Sequence, residues 1–428
     1  MSVIEGSQGA TALLGMPELV VGVQELVDGE WWLKVETRVD LVGCSACGTR
    51  AVGHGRATTA VWDVPIAGVA SVLVFARRRW RCPEPGWGTS TWSEHIEAVA
   101  PRASVTERAR TRLAEMVNVE GASIAAAAAE FGVGWHTANA AVAAYTDPVI
   151  DDPDRLEGVC AIGVDEKRFL NATPEHRTEF TTQIVDLDRH LLLEVLSGRS
   201  RDVLGDWLDG ITLATLDPAA GYRRALLDHL PNATLVVDHF HAIKLANTAI
   251  DDVRRRVQQA TLGHRGHKGD PLYRARRVFL TGFDRLSDER IAFMMAALDA
   301  GDPHGEVGAA ILAKELLREV YTAIDTGHAR RRLTVFFEHC ADAEVPELAR
   351  LATTIDRWGP EILAYHSTSG ASNGRVENTH MLTEKIRRNA HGSTNHTNNR
   401  RRLLGRLGIQ WTTLPTRRIR GRQPRSVA

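Results

Sequence analysis

The sequence predicts a multidomain protein of the α/β class. Two observations support this prediction: short apolar, strand-like segments recur between Gly158 and Asp238, and a long stretch with helical spacing follows them. At 428 residues the chain is also too long for a single compact core. We therefore expect several domains, with an α/β domain near the middle of the chain.

The composition is that of an ordinary globular protein, with 43% hydrophobic and 25% charged residues. The start of the chain lacks a basic segment followed by an apolar core, and no run of eighteen apolar residues occurs. Five scattered cysteines are too few for a disulfide framework. We expect a cytoplasmic protein with no membrane partner.

The N-terminal region combines strand-like runs such as "WWLKVETRVDLV" and "SVLVFARRRWRC" with a cysteine cluster. Cys44 and Cys47 have the spacing with which two thiolates reach one zinc ion from a tight turn, and Cys82 can add a third ligand from a later strand. A fourth cysteine is missing, and His54 and His95 are the substitutes that the sequence offers. A zinc-knuckle-like domain is one interpretation, and a metal-free remnant of a knuckle is the other.

The segment "SIAAAAAEFGVGWHTANAAVAAY" predicts a helix, a turn at glycines 132 and 134, and a second helix. This is the helix-turn-helix pattern, in which the second helix enters the DNA major groove. Its leading residues would then contact DNA: Trp135, His136, Thr137 and Asn139. An ordinary helical hairpin has the same pattern.

The middle region predicts the order βββαβαβ. The strands are "VCAIGVD", "EFTTQIVDLD", "HLLLEVLSG", "ITLATLD" and "ATLVVD", and the helices are "SRDVLGDWLDG" and "AGYRRALLDHLP". Asp165 ends the first strand, Asp217 the fourth and Asp238 the fifth. This order is the plan of the ribonuclease H-like fold, although aspartate is also a common turn former at strand ends.

A third acid follows the long helical stretch. In "STSGASNGRVENTHMLTEKIRRNAHG", residues 372–374 make a favourable helix start and Glu377 lies in the first turn of the helix.

Six motifs, in this order, resemble the ISL-three family of DDE transposases from bacterial insertion sequences. They are "CSACG" with "RRWRC", then "GVGWHT", "GVDEKRF", "LSGRS", "LDPAAGYRRALLDHLPNATLVVDHFHAIKLAN" with "VRRRVQ", and "SNGRVEN" with "IRRNAHG". The resemblance implies a ribonuclease H-like core interrupted by a helical insertion, with Asp165, Asp217 and Glu377 as the catalytic acids. Three residues after the glutamate, where the family has asparagine, this chain has His380, and seven residues after it Glu384 replaces lysine.

The resemblance also implies an activity and its partners. These enzymes bind the terminal inverted repeats of their element and cleave and join DNA with two magnesium ions, for which manganese can substitute. The partners would be double-stranded end and target DNA and, in the synaptic complex, a second copy of the chain or more. A decayed copy that only binds DNA and a ribonuclease H-like nuclease without strand transfer are the alternatives.

The expected sheet order decides between two of the aspartates. The fourth strand lies beside the first, about 4.8 Å away, whereas the fifth lies about 10 Å away. Asp217 therefore shares metal ions with Asp165, and Asp238 and His241 take a supporting role at the site or at the DNA. The alternative for this pair is a polar start to the helix after the strand.

Positive charge is concentrated near the C-terminus. Net charge is −1, yet residues 385–428 contain twelve Lys and Arg and no acid, so that residues 1–384 carry −13. This segregation predicts contact with a nucleic-acid backbone, and a solvated basic tail is the alternative. The predicted backbone contacts are Arg254, Arg255, Arg256, Arg387 and Arg388, and a solvated helix face is the alternative for the run at 254–256.

The predicted domains are 1–100 (zinc-knuckle-like), 101–150 (helix-turn-helix), 158–242 (first part of the core), 243–366 (helical insertion), 367–400 (final catalytic helix) and 401–428 (basic tail).

Overall fold

The computed structural model describes residues 3–5, 8–38, 41–84, 91–174, 177–199, 204, 210–218, 220–390 and 394–411. The chain divides into two compact units. The N-terminal unit comprises Met1–Arg155 and Glu384–Ala428, and the central unit comprises Leu156–Thr383. In the described part of the chain, every helix is too short or too polar to cross a membrane.

The N-terminal unit begins with a mostly antiparallel sheet and one short helix. Its elements are β1 (Val3–Glu5), α1 (Gln8–Leu14), β2 (Leu19–Val27), β3 (Glu30–Thr37), β4 (Val52–Ile66), β5 (Val69–Arg81) and β6 (Thr91–Ser93). The strand order is β1-β2-β3-β5-β4, with β6 beside β5, and only β3 and β5 run parallel. Alternate residues of the strands, such as Leu33, Val35 and Phe75, form one buried apolar face.

Four helices complete the N-terminal unit: α2 (Glu107–Asn118), α3 (Ile124–Glu130), α4 (Trp135–Ile150) and α14 (His396–Leu407). Thr106 caps α2, and its hydroxyl also donates to the buried carboxylate of Asp63 (2.6 Å), which ties the helix to β4. At the turn between α3 and α4, Gly132 has φ +67°, and a Cβ there would lie 2.9 Å from the Trp62 ring. The turn therefore requires glycine.

Helix α14 corrects the prediction that a basic tail begins at residue 401. The helix continues through this position, and Arg401 donates from Nε and Nη2 to the two carboxylate oxygens of Asp147 on α4 (2.6 and 2.8 Å). Leu403 and Leu404 are buried. The remainder of the predicted tail, residues 412–428, lies outside the described residues.

The central unit begins with the strands that the sequence predicts. Its elements up to the last strand are β7 (Ala161–Leu170), β8 (Glu179–Asp186), β9 (Leu192–Ser197), β10 (Leu213–Leu216), α5 (Ala220–His229) and β11 (Thr234–Val236). The sheet order is β11-β10-β7-β8-β9; β11, β10 and β7 are parallel, whereas β8 and β9 are antiparallel. The helix predicted from "SRDVLGDWLDG" falls largely outside the described residues.

The rest of the central unit is helical. Its helices are α6 (His239–Leu262), α7 (Pro271–Phe279), α8 (Asp288–Gly301), α9 (Glu306–Tyr321), α10 (Thr326–Asp342), α11 (Pro346–Arg357), α12 (Gly359–Ser367) and, as far as Thr383, α13 (Gly374–Asn389), with a 3-10 turn at Phe283–Arg285. Apolar residues of the sheet and of these helices form one continuous core, which includes Val164, Val253 and Phe336. The boundary predicted at 242/243 falls inside α6, so the insertion folds together with the sheet.

Candidate active site

Two of the predicted acids lie on neighbouring parallel strands. Val164 of β7 is paired with Leu216 of β10, so that the next residues, Asp165 and Asp217, lie side by side. Ligand atoms of these two acids and of His241 lie within 4.8 Å of one another. The sequence prediction ended the first strand at Asp165, but β7 continues to Leu170 because β8 pairs with it along this length.

The third predicted acid reaches the same place from a helix. Glu377 lies in the first turn of α13, with its backbone N–H bonded to the carbonyl of Asn373 (3.1 Å). With Asp165 and Asp217 it lines one open cavity of about 700 Å³. The fold therefore gathers three carboxylates from three distant segments of the chain.

A glycine allows this helix to approach the sheet. A Cβ on Gly163 would lie 2.2 Å from Cγ2 of Val376, the residue before Glu377. The Thr215 hydroxyl of β10 also contacts the side-chain oxygen of Asn373 at the start of α13. The position of Glu377 is thus fixed by packing against β7 and β10.

Asp238 and His241 link the start of α6 to the acids of the cavity. Asp238 caps α6: its Oδ1 accepts from the His241 backbone N–H (3.1 Å) and contacts His241 Nδ1 (2.9 Å). Its Oδ2 accepts from the Asn373 backbone N–H (2.9 Å), and on the other side of the imidazole Nε2 contacts a carboxylate oxygen of Asp217. One imidazole therefore links the cap of α6 directly to one of the cavity acids.

The electrostatics of the cavity follow from burial and from like charge. Burial, and then repulsion from Asp217, raises the pKa of Asp165 to about 8. Burial likewise raises the pKa of Glu377. Burial alone would lower the pKa of His241, but its contacts with Asp217 and Asp238 raise it to about 10. The same contacts hold the pKa of Asp238 below its ordinary value despite its burial.

Sequence reasoning noted His380 only as a departure from the family pattern and gave it no role. Its Nδ1 lies 3.1 Å from Oδ2 of Asp165. The backbone carbonyl of His380 accepts from Lys167 Nζ (2.7 Å), which also donates to the Thr383 hydroxyl (3.1 Å). The sequence does contain a signal for this contact, because a residue three positions after Glu377 lies on the same face of the helix.

The side chains of the cavity fit a divalent cation of the magnesium type. Carboxylate oxygens are the ligands that hard cations prefer, and Asp165, Asp217 and Glu377 supply them around one opening. Burial, and then the neighbouring Asp217 carboxylate, raises the pKa of Asp165, and a bound cation would lower this pKa by stabilising the charged form.

Two of the arginines predicted to bind DNA are engaged within the protein. Arg254 is only 3% exposed and donates to Gln258 (2.7 Å) and Asp251 (2.9 Å). Arg256 pairs with Glu306 and Glu347 (both 2.9 Å). Because Arg254 is buried, it cannot contact a DNA phosphate, and the prediction that it does so is wrong. Two carboxylates already neutralise Arg256.

The remaining predicted arginines differ in accessibility. Arg255 is about half exposed and lies 3.4 Å from Asp252 and 3.8 Å from Asp251. On α13, Arg387 lies 3.4 Å from Glu384, whereas Arg388 is exposed.

The predicted recognition residues lie at the start of α4. Trp135 and His136 are exposed, with their rings edge to face at 5.2 Å, and Thr137 is half-buried. Asn139 donates weakly to the side-chain oxygen of Asn398 on α14 (3.5 Å). The exposed leading end has the accessibility that a groove contact needs.

The three predicted zinc ligands do come together. The thiols of Cys44, Cys47 and Cys82 lie within 4.8 Å of one another, with Cys47 and Cys82 3.5 Å apart. A tight turn holds the first two, since Gly48 N–H donates to the Cys44 carbonyl (2.8 Å). Neither His54 nor His95 belongs to the cluster, and among the described residues it has no fourth His, Cys, Asp or Glu; residues 85–90 lie outside them.

Comparison with known proteins agrees with the resemblance read from the sequence. The family model described as transposase, of the ISL-three DDE type, matches residues 162–403, which is more than half of the chain. A search of curated proteins found no match.

Among solved structures, the Drosophila P element transposase strand transfer complex is similar to this chain, with 11% sequence identity and a TM-score of 0.37. The match covers 72% of this chain and 93% of that chain. At that score the likeness is too weak to support an inference about the fold. The family match alone decides the assignment: the chain belongs to the ISL-three family of DDE transposases.

Proposed function

We propose that this transposase binds the terminal inverted repeats of an insertion sequence and catalyses metal-dependent DNA cleavage and strand transfer, with Asp165, Asp217 and Glu377 as its catalytic acids. The observation that supports this most directly is the convergence of these three carboxylates, from two adjacent strands and one helix, on a single open cavity of the central unit.

The topology supports a ribonuclease H-like core. Three antiparallel strands, β9-β8-β7, are extended by two parallel strands, β10 and β11, with α5 between them. In this plan the acids lie on the central strand, on the strand beside it and on a helix packed against both, and Asp165, Asp217 and Glu377 occupy those three positions. The helices from α6 to α12 correspond to the insertion that the family resemblance implies.

Two magnesium ions held in this cavity would stabilise the charge that develops on the attacking and leaving oxygens of an in-line phosphoryl transfer. Asp165, Asp217 and Glu377 would supply the carboxylate ligands of these ions. His241 orients the Asp217 carboxylate through its Nε2, while Asp238 fixes the orientation of that ring through Nδ1. His380 performs the corresponding task for Asp165.

The N-terminal unit would recognise the DNA ends. Trp135, His136 and Thr137 lie at the leading end of α4, where a recognition helix contacts base edges. The thiols of Cys44, Cys47 and Cys82 would hold zinc, with the fourth position filled by water or by a ligand outside the described residues. Arg388 of this unit and Arg255 of the central unit are the candidates for phosphate contacts.

A strand-transfer assay tests this function. The purified full chain, magnesium and DNA carrying the imperfect inverted repeats that flank its reading frame should give end cleavage and then joining to target DNA, and Asp165→Asn should give neither. Binding without cleavage would identify a decayed DNA-binding copy, and cleavage without joining a nuclease. Both results would overturn the proposal. Synapsis of two ends predicts a dimer or a larger assembly on DNA.

A further inference from the structure

The loop between α6 and α7 carries a second cluster of ligand-type side chains, far along the chain from the catalytic acids. His264, His267 and Asp270 each offer one ligand atom, and these atoms all lie within 4.8 Å of one another. The two imidazole rings stack with their centroids 3.9 Å apart, and His264 Nδ1 lies 3.6 Å from Asp270 Oδ2. The segment "GHRGHKGD" thus folds its histidines back onto its aspartate.

Buried polar groups hold this loop in place. Arg254 donates to Gln258 Oε1 (2.7 Å), and Gln258 Nε2 in turn donates to the carboxylate of Asp270 (3.4 Å). Gly266 has φ +110°, and a Cβ there would lie 2.6 Å from Gln258 Oε1, so the loop closes on this network only with glycine. Gln258 Nε2 and the His267 backbone N–H both donate to the same oxygen, Oδ2, and so hold the carboxylate beside the two imidazoles.

We propose that His264, His267 and Asp270 form a binding site for a divalent transition-metal ion, with zinc as the best chemical match. Two imidazole nitrogens and one carboxylate oxygen suit zinc, whereas magnesium and calcium prefer oxygen ligands only. A separation of 3.6 Å between His264 Nδ1 and Asp270 Oδ2 is close to the edge of a tetrahedron around zinc, given bonds of about 2.0–2.2 Å.

Metal binding would replace one existing hydrogen bond of the loop. The Gly266 backbone N–H lies 3.2 Å from His264 Nδ1, and a metal bond at that nitrogen replaces this long hydrogen bond. Three protein ligands leave a fourth position for water. The ion would join the end of α6 to the start of α7, and Asp270 is already the residue that precedes α7.

Zinc-dependent protection of this loop from trypsin tests whether the metal binds here. Arg265 and Lys268 are exposed and lie between the proposed ligands. We expect cleavage after both residues in metal-stripped protein and its suppression when zinc is added. In His264→Gln/His267→Gln, zinc should no longer protect these bonds, and equilibrium dialysis should show about one fewer zinc ion per chain, since losing ligands weakens binding at least about tenfold.

The control is His304→Gln, which changes an exposed histidine outside the cluster. This variant should keep both protection and zinc content. The proposal is wrong if zinc fails to protect the wild-type loop, or if the double variant binds as much zinc as the control. Neither readout involves DNA, so a failure of the strand-transfer assay leaves this test intact.

Discussion

The carboxylate cavity of the central unit and the thiol cluster of the N-terminal unit each gather three ligand-type side chains, but they are assembled differently. Two of the thiols, Cys44 and Cys47, share one tight turn. The acids come from two strands and a helix that are distant in sequence, and they meet only because α13 packs closely on the sheet. The cavity should therefore be sensitive to changes in packing far from its ligands, whereas the thiol cluster should not.

The largest expected effect is that of Asp165→Asn. We expect cleavage to fall by about 10³-fold or more, because an amide cannot supply the charge that holds and balances the metal ions. Single-turnover cleavage of end DNA measures this. The control is Asp188→Asn, which changes an exposed acid in the turn after β8 and should cleave at the wild-type rate. A comparable loss of cleavage in this control would show that the effect of Asp165→Asn is not specific to the cavity.

The same variant has a pH signature in the absence of metal. The pKa of Asp165 is raised to about 8 in the folded chain, so the folded protein binds more protons than the unfolded one between about pH 4 and about pH 8. The Asp165 contribution to the free energy of unfolding therefore decreases as pH rises toward 8. In EDTA, Asp165→Asn should lose less thermal stability than wild type between pH 5 and pH 8.

Gly163→Ala tests the packing itself. Its new methyl group would lie 2.2 Å from Val376, so that α13 must move away from β7 and carry Glu377 with it. We expect a loss of about 1–3 kcal/mol in the free energy of unfolding and about 100-fold in cleavage rate.

The matched control for that change is Gly53→Ala, on β4 of the N-terminal unit. A Cβ at Gly53 meets nothing within 4 Å. Equal cleavage by Gly163→Ala and wild type would show that the position of α13 does not control the site. Chemical denaturation of both variants separates loss of fold from loss of geometry.

His241→Gln should have a smaller effect. Glutamine keeps the helix but loses the rigid bridge from Asp238 to Asp217, and we expect about 10- to 100-fold slower cleavage with magnesium still required. Asp238→Asn should resemble it, and the double variant should be no worse than the more impaired single variant, because the two act as one unit. Additive losses in the double variant would contradict this coupling.

The sequence predicted the sheet of the central unit well because each strand is a compact apolar run that ends at a turn. Its order followed from one topological plan, and β10 does lie beside β7, with β11 one step further. The length of β7 was missed, since pairing with β8 and not local composition carries that strand past Asp165.

Long-range partners could not be predicted from the sequence. The run at 254–256 resembles a basic DNA-binding face, yet Arg254 is buried against Gln258 and Arg256 bridges two acids from later helices. Similarly, the sequence places Arg401 in a basic tail, yet in the structure Asp147 accepts two of its hydrogen bonds. Charge patterns alone do not reveal such pairings.

The smallest effect on chemistry should come from the thiol cluster, which completes the comparison. Cys47→Ser replaces a soft ligand with a poor one, so we expect loss of about one zinc ion per chain and earlier thermal unfolding of the N-terminal unit. Cleavage of DNA at saturating concentration should remain at the wild-type rate, because Cys47 lies outside the unit that holds the acids. Cys160→Ser, at an exposed cysteine outside the cluster, serves as the control. A cleavage loss in Cys47→Ser as large as that of His241→Gln would mean that the thiol cluster also supports the chemistry, and that the contrast between the two sites is wrong.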